Sequence, residues 1–252
     1  MKVKYELVEK RRKELLSIIK DAQAISTCDL LNQAGVSNVT IRRDLVYLEE
    51  RNCISRYHGG CTFLSDLNTD KRGNGLNIKE MLAQKAAAMV EEGDILFINS
   101  SSTALQVIKY ITGKHVTIIT NNARALVLDH DPFVSLNFTG GEIRFPKEVM
   151  VGDLAISTLN KIIANKAIMG CSGLDVSTGI TTANASEVSV NQAMISHTRG
   201  KVIILADHTK LGIRHSFCSG SLEDINILIT DSEADPGMCE AIAEKDIEII
   251  KV

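Results

Sequence analysis

Residues 35–49 read Gly-Val-Ser-Asn-Val-Thr-Ile-Arg-Arg-Asp-Leu-Val-Tyr-Leu-Glu, and residues 54–60 read Ile-Ser-Arg-Tyr-His-Gly-Gly. In the first stretch Ile41, Leu45 and Leu48 recur at the spacing of one helical face. Asn38, Thr40, Arg42, Arg43 and Tyr47 are left for the other side. Ser37 stands where a hydroxyl can cap that helix, and Gly35 where a preceding helix can end in a left-handed residue. Working upstream, Ser26 is a cap with Asp29 in the first turn behind it, and Leu30, Leu31 and Ala34 supply a short helix. Before that, Leu7, Leu15, Ile18 and Ile19 mark an amphipathic helix ending near Lys20. Two short helices parted by Gly35-Val36 form a helix-turn-helix, whose second helix is shaped to lie in a major groove. Arg42 and Arg43 are adjacent and so point about 100° apart; one can reach a phosphate while the other pairs with Asp44, Glu49 or a neighbouring helix. Working downstream, Cys53 to His58 has strand character and stops at Gly59-Gly60, the place for a β-wing with Arg56 and His58 near its tip.

The bulk composition agrees with such a module attached to something larger. Apolar residues make up 44% of the 252 and charged residues 23%, a balance that excludes a disordered chain. With 4% aromatics and no Trp, any core must be built from Ile, Leu, Val, Ala and Met. The net charge is −3, but residues 1–62 hold 11 Lys and Arg against 8 Asp and Glu, so the acidic excess lies in the remainder. A basic head on an acidic body suits one DNA-contacting module. Cys28, Cys53, Cys61, Cys171, Cys218 and Cys239 form no CxxC pair and have no His at ligand spacing, which points to free thiols in a reducing cytoplasm and to no metal site. No apolar run reaches 18 residues and the N-terminus is charged, so neither a membrane span nor a signal peptide is expected.

Residues 63–77 are polar with two glycines and read as a linker between a 1–62 domain and a 78–252 domain. Beyond them, short apolar strands alternate with helical stretches. Strands are expected at 95–98, 116–120, 134–139, 167–170, 202–206, 225–230 and 247–252. Helices are expected at 78–91, 104–111, 123–129, 154–163, 186–197 and 236–244. Near-continuous apolar strands between helices predict a mostly parallel sheet covered on both faces, an α/β fold. Ligands of such sheets sit beyond the carboxyl ends of the strands. Ser100, Ser101, Ser102 and Thr103 follow the first strand at a helix N-terminus, where hydroxyls and free N–H groups can cradle a phosphate or simply cap the helix. Asn121 and Asn122 follow the second strand, Gly140 and Gly141 the third. The loops 179–182 and 207–212 complete the edge. No GxGxxG or GxxxxGK occurs, so a dinucleotide or nucleoside triphosphate has no support, and no cofactor is expected.

The Thr-Ile-Arg-Arg-Asp-Leu core and the Arg-x-His-Gly-Gly wing, at this separation, resemble the signature of the DeoR family of bacterial transcriptional regulators. The resemblance implies operator recognition by Ser37, Asn38, Thr40, Arg42 and Arg43, with wing contacts from Arg56 and His58. The second half is similar to that family's effector domain, which is related in fold to ribose-5-phosphate isomerases and CoA transferases. It implies repression of a carbohydrate or nucleoside operon, relieved by a phosphorylated sugar. The matching positions are Lys79, the Ser100–Thr103 loop, Asn121, Gly140, Gly141, Asp175, Gly179, Thr181, Glu187, Asp207 and Lys210. One departure stands out: the usual Asp-x-Gly-Thr-Thr is Asn-Ser-Ser-Ser-Thr at 99–103 here, which removes an acid and a glycine from the cradle.

A rival reading is a sugar-phosphate isomerase with Glu187 or Asp175 as base and Lys210 as its electrostatic partner. The attached helix-turn-helix argues against it, since an isomerase has no use for one. A single winged module covers little DNA, so a homo-oligomer on double-stranded operator DNA is expected.

Overall fold

The computed structural model describes residues 2–22, 24–50, 53–57, 59–63, 78–145 and 147–252. The chain divides into two units, Met1–Gly73 and Asn74–Val252.

In the first unit, helix α1 (Lys2–Ala22) leads through strand β1 (Ala24–Ser26) to α2 (Thr27–Ala34) and α3 (Asn38–Glu50). Strands β2 (Ile54–Tyr57) and β3 (Gly60–Phe63) follow. Ser26 caps α2 by accepting a hydrogen bond from the Asp29 N–H. Gly35 closes α2 at φ +63°, a conformation open to glycine without a Cβ clash. Leu15, Ile19, Ile25, Leu30, Ile41, Leu45, Leu48, Ile54 and Cys61 form one buried cluster, so the apolar face read from α3 is the face that packs. Strand β1 is an addition to the expected elements. It is three residues long and pairs antiparallel with β3 in the order β1-β3-β2, turning the wing into a three-stranded sheet.

The second unit begins with α4 (Ile78–Ala87), β4 (Ile95–Ile98), α5 (Ser102–Tyr110) and β5 (Val116–Thr120). A 3-10 turn (Ala123–Val127), β6 (Val134–Phe138), β7 (Glu142–Arg144), β8 (Val149–Val151) and α6 (Asp153–Leu159) come next. Then come β9 (Ala164–Gly170), β10 (Gly173–Asp175), β11 (Gly179–Thr182), α7 (Ala185–Ser196) and β12 (Thr198–Leu205). A 3-10 turn (His208–Lys210), β13 (Phe217–Gly220), β14 (Ile227–Thr230), α8 (Pro236–Ala243) and β15 (Glu248–Lys251) finish the chain. Seven parallel strands form the central sheet in the order β15-β14-β12-β9-β4-β5-β6. Strand alternation divides its side chains between two cores. Phe97, Ile119, Ala167, Met169, Val202, Ile204 and Leu228 pack with α6, α7 and α8. Leu96, Ile98, Ile118, Ile168, Ile203, Leu205, Ile227 and Ile229 pack with α4 and α5. This is the mostly parallel, doubly covered sheet that the apolar runs predict.

Four features differ from the sequence reading. Residues 179–182 are a strand, not a loop: β11 pairs with β10 and β13 in a small antiparallel sheet. Residues 123–127 form a 3-10 turn rather than a helix to 129, and α4 stops at Ala87, four residues early. A hairpin, β7–β8, follows Gly141 where no strand was expected. Strands of three or four residues are too short to display a period of two, which is why pattern alone passes over them.

From β4 the sheet grows through β5 to β6, and it resumes at β9 on the opposite flank of β4. That reversal makes β4 and β9 a topological switch point, and in open α/β sheets ligands bind in the crevice beyond the carboxyl ends of the strands there.

Candidate functional site

In the first unit the buried side of α3 decides what its other side presents. Ile41, Asp44, Leu45 and Leu48 face inward, so Val39, Arg42, Arg43 and Val46 face outward. Asp44 is nearly sealed and is held by Arg11 Nε at 2.7 Å and Arg12 Nε at 3.0 Å from α1. Burial pushes the Asp44 carboxyl up, but the two guanidinium groups outweigh it and hold its pKa below the ordinary value. Because α1 supplies Asp44's partners, Arg42 and Arg43 have no ion-pair partner among the described residues and stay exposed. Ser37 and Thr40 are joined at 2.9 Å, and the Ser37 hydroxyl accepts from the Thr40 N–H, so both serve the cap of α3. Asn38 is exposed at the first residue of the helix. Tyr47 is drawn to the flank, where the Arg12 guanidinium lies 3.5 Å from its ring centroid. Arg56 is described only as backbone of β2, and His58 lies outside the described residues. Val39, 61% exposed, is an apolar side chain on the outward face that the sequence reading passed over.

In the second unit the crevice is closed at its floor by Asn99, the residue after β4. Its amide nitrogen donates to the Gly170 carbonyl at 2.9 Å, and its oxygen accepts from the Gly170 N–H at 3.0 Å. The same side chain reaches Asn191 of α7 at 3.3 Å, and Asn191 reaches Ser219 of β13 at 3.4 Å. Ser101 caps α5 through bonds from the Thr103 and Ala104 N–H groups, and it sits so close to Gly170 that a Cβ there would fall 2.0 Å from its Oγ. Thr103 is buried, whereas Ser100, Ser101 and Ser102 are half-buried. Of the cradle expected from Ser100 to Thr103, Ser101 is thus taken up with Asn99 in holding the framework, while Ser100 and Ser102 are half-buried beside it. The Ser100 carbonyl accepts from Asn122 Nδ2 at 3.3 Å, and Asn122 also caps the 3-10 turn after β5.

Lys210 belongs to the 3-10 turn after β12. Asp207 caps that turn by accepting from the Thr209 N–H and hydroxyl. His208 anchors it to the end of β14: its N–H and Nδ1 meet Asp231 at 2.6 and 2.8 Å, and its Nε2 lies 3.5 Å from Glu233. Asp231 raises the His208 pKa above its ordinary value, against the opposing effect of partial burial. His208, Asp231 and Glu233 are the one grouping among the described residues with metal-ligand proximity. The two carboxylates approach different ring nitrogens, however, which is the geometry of an ion-pair clamp rather than of ligands converging on one ion. Lys210 and Asp207 both act on Cys171, the residue after β9. Burial pushes that thiol up to about 12, with Lys210 lowering it and Asp207 raising it. Lys210 therefore lies near the carboxyl end of β9, and among the described residues its ammonium has no carboxylate partner.

The other expected residues are distributed as follows. Asp175 is buried and accepts from the Ser177 hydroxyl and N–H, with Arg214 Nε at 3.0 Å. These contacts, the Ser177 hydroxyl first, hold its pKa below the ordinary value, which suits an anchor better than a general base. Thr181 is buried, donating to the Gly173 carbonyl and accepting from the His215 N–H. Gly179, at φ +68°, lies so near the Gly220 carbonyl that a Cβ would be 2.4 Å away. Gly141 is confined by Val151, whereas Gly140 has open space beside it. Asn121 is buried beneath the β7–β8 hairpin, its amide nitrogen on the Met150 carbonyl at 3.2 Å. Glu187 accepts from Thr182, Asn184 and Lys147. Lys79 lies half-buried in the first turn of α4. Lys147, Asn184, Asn191 and Arg214 were not singled out in the sequence; their partners are brought in by folding, and no local pattern marks them.

No helix among the described residues is long and apolar enough to cross a membrane. The family described as "DeoR-like helix-turn-helix domain" matches residues 11–66, and that described as "DeoR C terminal sensor domain" matches residues 76–232. YulB, an HTH-type transcriptional regulator of Bacillus subtilis, is 30% identical, covering 98% of this chain and 97% of its own. The HTH-type transcriptional repressor GlcR of the same organism is 29% identical, covering 96% and 95%. The glycerol-3-phosphate regulon repressor of Escherichia coli is 28% identical, covering 95% and 97%. Among solved structures, ribose 5-phosphate isomerase A of Methanocaldococcus jannaschii overlaps 53% of each chain at 14% identity and a TM-score of 0.38, too loosely to say anything of chemistry. The relatives named are regulators and repressors rather than isomerases. With a helix-turn-helix unit ahead of a matching sensor domain, and relatives that align along almost the whole chain, this protein belongs to the DeoR family of DNA-binding transcriptional regulators.

Proposed function

We propose that this regulator represses a carbohydrate or nucleoside catabolic operon and leaves its operator when a phosphorylated sugar enters the crevice beyond β4 and β9. The observation that carries the reading is Lys210. Where the neighbouring carboxylates Asp175, Glu187 and Asp231 are matched by Arg214, Lys147 and His208, Lys210 has no such match among the described residues. An unmatched ammonium on the turn after β12, taken with the half-buried hydroxyls of Ser100 and Ser102 after β4, at the switch point of a parallel sheet, is suited to an anion. The sugar body then has amides and carboxylates for its hydroxyls, with Asn121, Asp175, Glu187 and Asp207 as the candidates and Gly140 offering open backbone. Lys79, Ser101, Thr103, Gly141, Gly179 and Thr181 belong to the same proposed site as its walls and supports. On the DNA side, Arg42 and Arg43 read or grip the operator, with Ser37, Asn38, Thr40, Arg56 and His58 around them. The relatives' names support the class of signal, since one is a glycerol-3-phosphate regulon repressor. The protein acts in the cytoplasm, where both DNA and phosphorylated sugars are found, and as a dimer or larger homo-oligomer on a repeated operator.

The test is an operator titration at fixed ionic strength with a panel of phosphorylated and free sugars. Release by a phosphorylated sugar, and not by its free parent, is expected. Ser102→Ala and Lys210→Ala should still bind operator but need at least about tenfold more effector, the worth of one charge-assisted bond. Release of both variants at wild-type effector concentrations would place the ligand elsewhere. Light scattering should give at least twice the 27.5 kDa of one chain.

A further inference from the structure

The β7–β8 hairpin is tied to the end of β5 and, through Lys147, to α7. On the β5 side, Met150 N–H donates to the Asn121 carbonyl at 2.7 Å, Ala123 N–H to the Glu148 carbonyl at 2.9 Å, and Asn122 bridges to Val149. On the α7 side, Lys147 Nζ meets Glu187 Oε1 at 3.3 Å. Glu187 and Asn191 are four residues apart on α7 and so share a face, one turn along. Asn191 is the residue that touches Asn99 at the crevice floor. Lys147 and Glu187 therefore sit one helical turn above the closed end of β4.

The two members of that pair differ in what they can still do. Glu187 is sealed, and Thr182 and Asn184 donate to it besides Lys147. Its acceptor oxygens are already supplied from within the protein. Lys147 is more than a third exposed, and an ammonium has three protons, of which Glu187 takes one. Beneath the same hairpin, Asn121 Oδ1 is buried without a hydrogen-bond partner in the described structure. A buried acceptor left unmet is costly, and a ligand hydroxyl is the group that would relieve it.

We propose that Lys147 is an effector-binding residue, held over the crevice by Glu187, and that it donates to an oxygen of a sugar phosphate whose hydroxyl is accepted by Asn121. This rests on the sugar-phosphate reading above and adds Lys147 to it as a second cation. Glu187, counted above among the acceptors for sugar hydroxyls, is instead a positioning residue: it fixes the ammonium rather than touching the ligand.

The experiment is calorimetric titration of the full-length protein with glucose 6-phosphate, fructose 1-phosphate and glycerol 3-phosphate, alongside thermal unfolding of each variant. Lys147→Met should weaken the tightest of these by about ten- to a hundredfold, the span of one charge-assisted hydrogen bond, while Lys147→Arg stays within about threefold. The double variant Lys147→Met with Glu187→Gln should bind no better than Lys147→Met alone. If Lys147 only neutralised Glu187, removing both charges would restore affinity, and the proposal would be overturned. Wild-type affinity in Lys147→Met would overturn it too, leaving the sugar-phosphate reading intact. Should the wild type bind none of the three and keep its operator in their presence, that reading and this proposal fall together.

Discussion

Asn99 and His208 illustrate how single side chains fix the edge on which a ligand would rest. The Asn99 amide offers a donor and an acceptor at once, and Gly170 presents the matching carbonyl and N–H, so one side chain continues the β4–β9 ladder past its last residue. A carboxylate has no proton for the Gly170 carbonyl or for Asn191, and Asn99→Asp would set oxygen against oxygen at both. The expected cost is about 1–3 kcal/mol, the penalty of an unmet buried polar group, read as a lower urea midpoint at neutral pH. An unchanged midpoint would mean that the Asn99 contacts contribute nothing net. His208 makes a prediction in pH. Its folded-state pKa is raised above 6.5 by Asp231, so its stabilisation is complete below 6.5 and fades as pH climbs through the raised value. Burial pushes Asp231 up, but bonds from the His208 N–H and ring and from the Glu233 N–H hold it below 3.8, so its share is lost only on acidification. The wild type should exceed His208→Gln most between pH 3.8 and 6.5, with the gap narrowing at alkaline pH. A gap of unchanged width from that plateau into alkaline pH would show the clamp to be neutral.

Among the elements, α3 carries the clearest prediction because its packing leaves so little choice. Ile41, Leu45 and Leu48 fix its rotation, and Asp44 is claimed by α1, so Arg42 and Arg43 are the charges that face outward. Arg42→Ala and Arg43→Ala should each cost about 1–3 kcal/mol of operator affinity and relax specificity if they read bases. A phosphate contact would instead weaken binding to all sequences and shallow the salt dependence. Operator affinity unchanged in the folded double variant would remove α3 from the interface. This helix was legible in the sequence because its apolar triad, its Ser37 cap and the Gly35 terminator before it are all local signals. The parallel strands β4 and β5 were legible for the same reason, each being an unbroken apolar run. The site was harder to read. Ser101 and Asn99 look like members of a phosphate cradle, but their partner Gly170 lies 71 residues from Asn99, and only the folded sheet shows that they serve the framework. The β7–β8 hairpin and its Lys147 stayed hidden because strands of three residues carry no period.

At the scale of the whole molecule, the two units must exchange free energy if a ligand of the second is to govern the DNA affinity of the first. The requirement is thermodynamic and holds whatever path the coupling takes. An effector that weakens operator binding by some factor must itself be bound more weakly, by the same factor, when the operator is present. Couplings of this kind amount to about 1–3 kcal/mol, roughly 5- to 150-fold, which both titrations can resolve. Sugar phosphates at millimolar concentration also raise ionic strength, and salt alone weakens protein–DNA binding by screening and counterion release. The two causes separate cleanly, because screening by an effector that does not bind has no reciprocal. We therefore expect that the ratio of operator Kd with and without saturating effector will equal the ratio of effector Kd with and without saturating operator. The first is measured by fluorescence anisotropy of labelled operator and the second by calorimetry, both in one buffer with salt adjusted to constant ionic strength. If operator binding weakens while the effector's own Kd is indifferent to DNA, release is not linkage between the two units and the crevice is not the sensor. If both ratios are equal and Lys210→Ala lowers them together, the crevice at β4 and β9 is where the signal enters.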